Sequence, residues 1–144
     1  MDLVFLLSVI YFYLPGAVAN IGANLAKFIL FFKKINTPID GGLFLNGHRL
    51  IGEHKTWGGF FCGILFGVVY GLVKVVFFDK YWLGNLFLNI DPIKGIFLVF
   101  LLSFGALFGD VVKSVVKRLL GISPHKAWIP FDEIDHTLMA MVLV

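Results

Sequence analysis

Charged residues are scarce in this 144-residue chain: 12 Lys or Arg and 9 Asp or Glu make up only 15% of it. A soluble domain carries about 25% charged residues, so composition excludes an ordinary soluble fold. It equally excludes disorder, which requires low hydrophobicity and high net charge. There is one cysteine, Cys62, inside an apolar stretch, so no disulfide framework forms within the chain and the redox compartment stays open. His48, His54, His125 and His136 show no zinc-ligand spacing with it. No Gly-x-Ser-x-Gly element points to acyl transfer. The net charge is +3 and the pI near 9.1, yet the cations are too few and too scattered for a nucleic-acid surface. What remains is apolar: 59% hydrophobic residues and a mean hydropathy of +0.92. By composition this is a membrane protein with one domain, expected to be an all-α, multi-pass bundle with short cytoplasmic loops.

A helix needs about 20 mostly apolar residues to cross a hydrocarbon core. Residues 3–32, interrupted by Pro15 and Gly16, form one candidate span, and residues 57–78 a second. The third covers 93–118, apolar to 108 and more polar beyond. A fourth begins near Thr137, so the 144 residues are expected to stop inside it. The first stretch is too long for the apolar region of a signal peptide, and Asp2 stands where a basic leader belongs. Lys27, Lys33, Lys34, Arg49 and Lys55 flank the first connection, and Lys113, Lys117, Arg118 and Lys126 the third. Cytoplasmic flanks are enriched in Lys and Arg, which predicts an external N-terminus and two cytoplasmic loops. The segment 79–94, with Asp91-Pro92 as its turn signal, is then external.

Three features of the spans carry information. Gly59, Gly63, Gly67 and Gly71 recur every four residues and make one smooth helical stripe, suited to close packing against another helix or another subunit. A homodimer is compatible with that stripe. Asn20, Asn24 and Lys27 share a face after Pro15, and either bond a neighbouring helix or wall a polar site. Asp110, Ser114 and Lys117 share a face of the third span with Lys113 alongside. An aspartate this close to hydrocarbon is either ion-paired to Lys113 or Lys117 or functional.

The loops hold the remaining polar chemistry. The first reads Pro38-Ile39-Asp40-Gly41-Gly42, then Gly47-His48-Arg49-Leu50-Ile51-Gly52-Glu53-His54-Lys55-Thr56. Glycines followed by Lys-Thr at a helix start suit a phosphate site, with backbone amides, a helix N-terminus and a cation together. This is not a Walker loop, because Glu53 follows Gly52 and the lysine comes at position 55. Thr56 serves equally well as an ordinary N-cap. The second loop runs Pro130-Phe131-Asp132-Glu133-Ile134-Asp135-His136. Its acids are either a solvated acidic turn or, with Asp110, an oxygen-rich set suited to Mg²⁺, which takes a few carboxylates plus waters and substrate phosphates.

Taken in order, Leu14-Pro15 with Ala19-Asn20, Pro38 to Gly42, Arg49 and Gly52 before Lys55-Thr56-Trp57, Gly109-Asp110 with Ser114 and Lys117-Arg118, and Pro130 with Asp132 and Asp135 resemble the CDP-archaeol synthase family. That family is related to the phosphatidate cytidylyltransferases, whose signature also runs Ser-x-x-Lys-Arg and closes on Asp-x-x-Asp. The resemblance covers Leu14 to Asp135. It implies a multi-pass enzyme of about five spans that uses CTP and Mg²⁺ to convert digeranylgeranylglyceryl phosphate into its CDP-activated form, with release of pyrophosphate. Gly58, Glu133 and His136 depart from the family's pattern.

On this reading Asp110 and Asp132, with Asp135, hold Mg²⁺. Lys55 and Thr56 bind the CTP phosphates, Lys117 and Arg118 neutralise phosphate charge, and Asn20 with Asp40 lines the site; Arg49 and Ser114 complete the nucleotide-binding set. The lipid phosphate is already a nucleophile, so no strong protein base is required. The membrane CDP-alcohol phosphotransferases are a competing class, but they string four aspartates along two helices and no such series follows Asp40. Two further readings compete with it: a phosphatidate cytidylyltransferase acting on diacyl lipid, and a non-enzymatic helix-packing subunit.

Overall fold

The computed structural model describes residues 3–45, 48–52, 54–79 and 92–122. The fourth span, the acidic loop with Asp132 and Asp135, and most of the 79–94 connection lie outside these residues.

Helix α1 covers Leu3–Leu25 and carries Pro15 in its interior. A 3-10 turn, Ala26–Phe28, follows, then the short helix α2, Leu30–Lys34. The connection contains a minimal antiparallel ladder, β1 (Phe44–Leu45) with β2 (His48–Arg49), in which Phe44 faces Arg49 and Leu45 faces His48. Helix α3 covers Trp57–Val73 and continues as a π-helical stretch, Lys74–Asp79. Helix α4 runs Pro92–Leu119, with proline at the first position, where its missing N–H leaves no bond unmade. Three segments, Val9–Phe28, Trp57–Val76 and Ile93–Leu119, are long and apolar enough to cross a membrane. The three long helices pack pairwise into an all-α bundle.

The interior of this bundle is small and the exterior large. Ala19, Cys62, Ser103 and Ala106 are fully buried with Leu102, whereas Ile21, Phe28, Phe61, Leu65, Val69 and Phe97 are exposed. In water that distribution would be costly; in lipid, close backbone approach rather than hydrophobic burial holds helices together. The glycine stripe serves this approach. A Cβ at Gly63 would lie 2.5 Å from the Ala19 carbonyl oxygen, and one at Gly67 would lie 2.8 Å from that of Pro15. Gly71 packs on Val99 of α4. Of the two partners the stripe allows, it meets helices of the same chain, and its glycines are not a face for a second copy.

The first span ends sooner than hydropathy suggests. The helix stops at Leu25, Ile29 is extended (φ −94, ψ 116), and no residue of α2 is buried. Hydropathy over residues 3–32 counts Leu30, Phe31 and Phe32 as continuing the span, but apolar content does not record that the backbone has turned. At the same end of the bundle, α4 stops in a Schellman turn. Ile122 N–H reaches the Lys117 carbonyl and Gly121 N–H that of Arg118, both at 3.0 Å. Gly121 takes φ +71, a conformation that a Cβ disfavours.

Candidate functional site

The end of the bundle where α1 and α4 finish and α3 begins is built by the loop between α2 and α3. Thr56 caps α3: its hydroxyl accepts from Gly59 N–H at 3.1 Å and donates to Asn36 Oδ1 at 2.5 Å. The backbone on either side is pinned, with Trp57 N–H on the Thr37 carbonyl and Ile39 N–H on that of Lys55, each at 2.9 Å. Asp40 is the staple of the loop. Its carboxylate accepts from Gly42 N–H at 3.0 Å and Ile51 N–H at 3.3 Å, and the residue is only 4% exposed. Burial by itself would raise this carboxyl. The amides of Gly42, Ile51 and Gly52 and the nearby Arg49 charge outweigh burial and hold it below its usual value.

This scaffold leaves Lys55 pointing across the bundle, where its ammonium pairs with the Asp110 carboxylate on α4. Lys113, one turn along, approaches the same carboxylate at 3.9 Å. Asp110 lines a cavity of about 110 Å³ together with Asn20 and Asn24 of α1, His54, Lys55 and Thr56 of the loop, and Phe60 of α3. A second cavity of about 340 Å³ shares Asn24, His54 and Thr56 and adds Lys27 and Asn36. The polar face Asn20, Asn24, Lys27 therefore walls these cavities. The Asn24 amide donates to the Asn20 carbonyl of its own helix at 3.0 Å.

Of the residues that the sequence singles out, Asn20, Asn24, Lys55, Thr56 and Asp110 meet around one cavity, and Lys27 lines the one beside it. The other described ones are placed elsewhere. Asp40 is turned into its own loop, so the amides that suggest an anion site are already taken by a carboxylate of the chain. The Ser114 hydroxyl donates to the Asp110 carbonyl at 2.8 Å. Lys117 is buried further along α4, Arg49 is half-buried in β2, and the Arg118 guanidinium donates to backbone carbonyls rather than into the cavity. Asp132 and Asp135 lie outside the described residues; among the described residues no three His, Cys, Asp or Glu gather around one point. Asn36 and His54 belong to the site although sequence reasoning does not assign them to it. His54 enters that reasoning only within the first-loop stretch and as a histidine without zinc-ligand spacing, although its position beside Lys55 is a usable signal, while nothing in the spacing marks Asn36.

Chemically, the cavity offers a cation on a flexible stem, a carboxylate, amide side chains and a hydroxyl at one end of apolar helices. That is what a polyanionic ligand at a membrane surface needs.

Comparison with known proteins places the chain. Residues 1–144 match the family profile described as CarS-like: CDP-archaeol synthase. A CDP-archaeol synthase of Methanosphaerula palustris is 41% identical over 112 residues, 75% of this chain and 63% of that protein. One from Methanococcus aeolicus is 31% identical over 139 residues, 96% of this chain and 78% of its own length. A solved structure described as an intramembrane enzyme for archaeal membrane lipids biosynthesis superposes with a TM-score of 0.67 at 27% identity, covering 93% of this chain and 73% of that one. The chain thus spans a little under two thirds of the Methanosphaerula palustris relative.

Proposed function

The chain belongs to the CDP-archaeol synthase family, and from that membership we propose that it transfers CMP from CTP to an archaeal ether lipid phosphate, 2,3-bis-O-geranylgeranyl-sn-glycerol 1-phosphate. The products are the CDP-activated lipid and pyrophosphate. One observation carries the reading: Asn20, Lys55, Thr56 and Asp110, drawn from two helices and the loop before α3, meet in one cavity. A lipid anchored among the helices would bring its phosphate to this level while CTP enters from the aqueous side, which the distribution of Lys and Arg makes the cytoplasmic one.

In the reaction a lipid phosphate oxygen attacks the α-phosphorus of CTP, and the bond to the bridging oxygen breaks as pyrophosphate leaves. The protein's task is to hold the two phosphates in line and to stabilise charge on the leaving group. Lys55 leaves Asp110 for the nucleotide phosphates, and Lys113 stays beside the carboxylate. Thr56 and Asn36 keep the start of α3 fixed, and the Asn20 and Asn24 faces hydrogen-bond to the bound nucleotide and lipid headgroup. The chemistry of Asp110 fits Mg²⁺: it is a carboxylate that attracts cations, a third or less exposed, with room beside it for waters and phosphates. Asp110 would hold the ion, with Asp132 and Asp135 as further carboxylates by sequence. When bound, the ion supplies charge stabilisation on the phosphates.

The test is lipid selectivity in membranes that contain the protein. With CTP and Mg²⁺, the geranylgeranyl ether lipid phosphate should be converted to CDP-lipid faster than a diacyl lipid phosphate. Preference for the diacyl lipid would move the chain to the phosphatidate branch of the chemistry, and no product from either would leave a packing subunit.

A further inference from the structure

Arg118 sits in the last turn of α4 and is 6% exposed. Its Nε donates to the carbonyl of Arg49 at 3.3 Å, 69 residues earlier in the chain. Its Nη1 donates to the carbonyl of Ile122 at 2.7 Å, just past the Schellman turn. One side chain thus joins the end of α4, strand β2 of the first loop, and the start of the segment that leads toward the second. A guanidinium is suited to this because its donors diverge in a rigid plane, whereas an ammonium is a point charge with no fork. Arg49 is six residues from Lys55, and the stretch between them is held by Ile51 N–H on Asp40 and Lys55 N–H on the Gly52 carbonyl. Fixing Arg49 to α4 therefore fixes where Lys55 emerges, on the helix that carries Asp110.

We propose that Arg118 is a positioning residue that acts through Lys55, holding the loop against α4 so that the Lys55 ammonium reaches the Asp110 cavity, rather than a residue that contacts substrate phosphate. The link to turnover rests on the cytidylyl-transfer reading above; the clamp itself does not.

The informative variant is Arg118→Lys, which keeps the charge and loses the fork. A clamp predicts a fall in kcat/KM for CTP of about 100-fold, the scale of a displacement of about 1 Å at a reacting group. Charge neutralisation predicts that lysine retains at least half the activity, which would overturn the proposal. In a Lys55→Met background the clamp predicts that Arg118→Lys costs less than about twofold more, because the residue it positions is gone; losses that multiply would show independent action on the substrate and also overturn it. The second readout is amide hydrogen exchange on the protein in lipid nanodiscs. Residues 37–56 should exchange faster in Arg118→Lys while α1 and α3 keep their protection, and the same should hold for Arg118→Gln, which retains a donor without charge. Unchanged protection in 37–56 in both variants would refute the clamp. If wild-type membranes form no CDP-lipid, the functional reading fails and the exchange result still decides the clamp.

Discussion

A carboxylate in the C-terminal half of an apolar helix needs a cation, and Asp110 draws two: Lys55 from across the bundle and Lys113 from its own helix. With both partners of the cross-bundle pair about a third exposed, the pair contributes little to stability, of the order of 0–1 kcal/mol. On the proposed function its weight is in binding charge at the site. Asp110→Asn should therefore leave the melting temperature of the solubilised protein within a few degrees of wild type while Mg²⁺-dependent turnover falls by about 100-fold or more, in the range of other losses of charge stabilisation at a reacting centre. Lys55→Met should raise the KM for CTP and leave lipid binding intact, which titration with each substrate separately reads. Asp40 behaves oppositely. Asp40→Asn removes a charged acceptor from buried amides and should cost about 1.5–3 kcal/mol locally, seen as faster hydrogen exchange around Gly42 and Ile51. Its folded carboxyl is held below its usual value of 3.8, so its contribution is fully present above about pH 4 and is lost as pH falls through the lower folded value. Loop protection in wild type should decline in that acidic window, and Asp40→Asn should not show the step. Lys55 and Asp110 are legible in the sequence because glycines followed by Lys-Thr at a helix start suit a phosphate and an aspartate in a span is rare. Asp40 and Arg118 are legible only as charged residues, because their partners are backbone groups whose position depends on the folded loop.

At the scale of elements, the period-four glycines of α3 announce close packing, and Thr56 announces the start of the helix. The sequence does not say which surface the glycines meet, since a smooth stripe fits any partner. The carbonyls of Pro15 and Ala19 answer that. Gly63→Leu should therefore destabilise the bundle by about 1–3 kcal/mol or more, as overpacking does, with the loss visible as a lower melting temperature by circular dichroism. Leu65→Ala on the exposed face should change it little. The end of the first span escapes hydropathy for a related reason. Phe31 and Phe32 read as lipid-facing residues of a continuing helix, but the chain has already turned at Ile29 to reach the start of α3, where Gly58 N–H bonds the Ile35 carbonyl.

For the whole molecule, the Lys and Arg distribution predicts that both basic loops share one side, and the Arg118 contact to Arg49 holds the end of α4 against the first loop. Cysteines introduced singly at Asn36 and at Ile122, in a Cys62→Ser background, should react with an impermeant thiol reagent from the same side of sealed vesicles. Reaction from opposite sides would break the topology on which the site depends. The central claim, that this end of the bundle moves CMP onto a lipid phosphate, is tested most directly by the position of the label in CTP. Membranes supplied with the geranylgeranyl ether lipid phosphate and Mg²⁺ should incorporate label from the α-phosphorus into lipid and release label from the γ-phosphorus as pyrophosphate, and Asp110→Asn membranes should do neither. Transfer of the γ label to lipid, or equal incorporation in the wild type and the variant, would contradict the account.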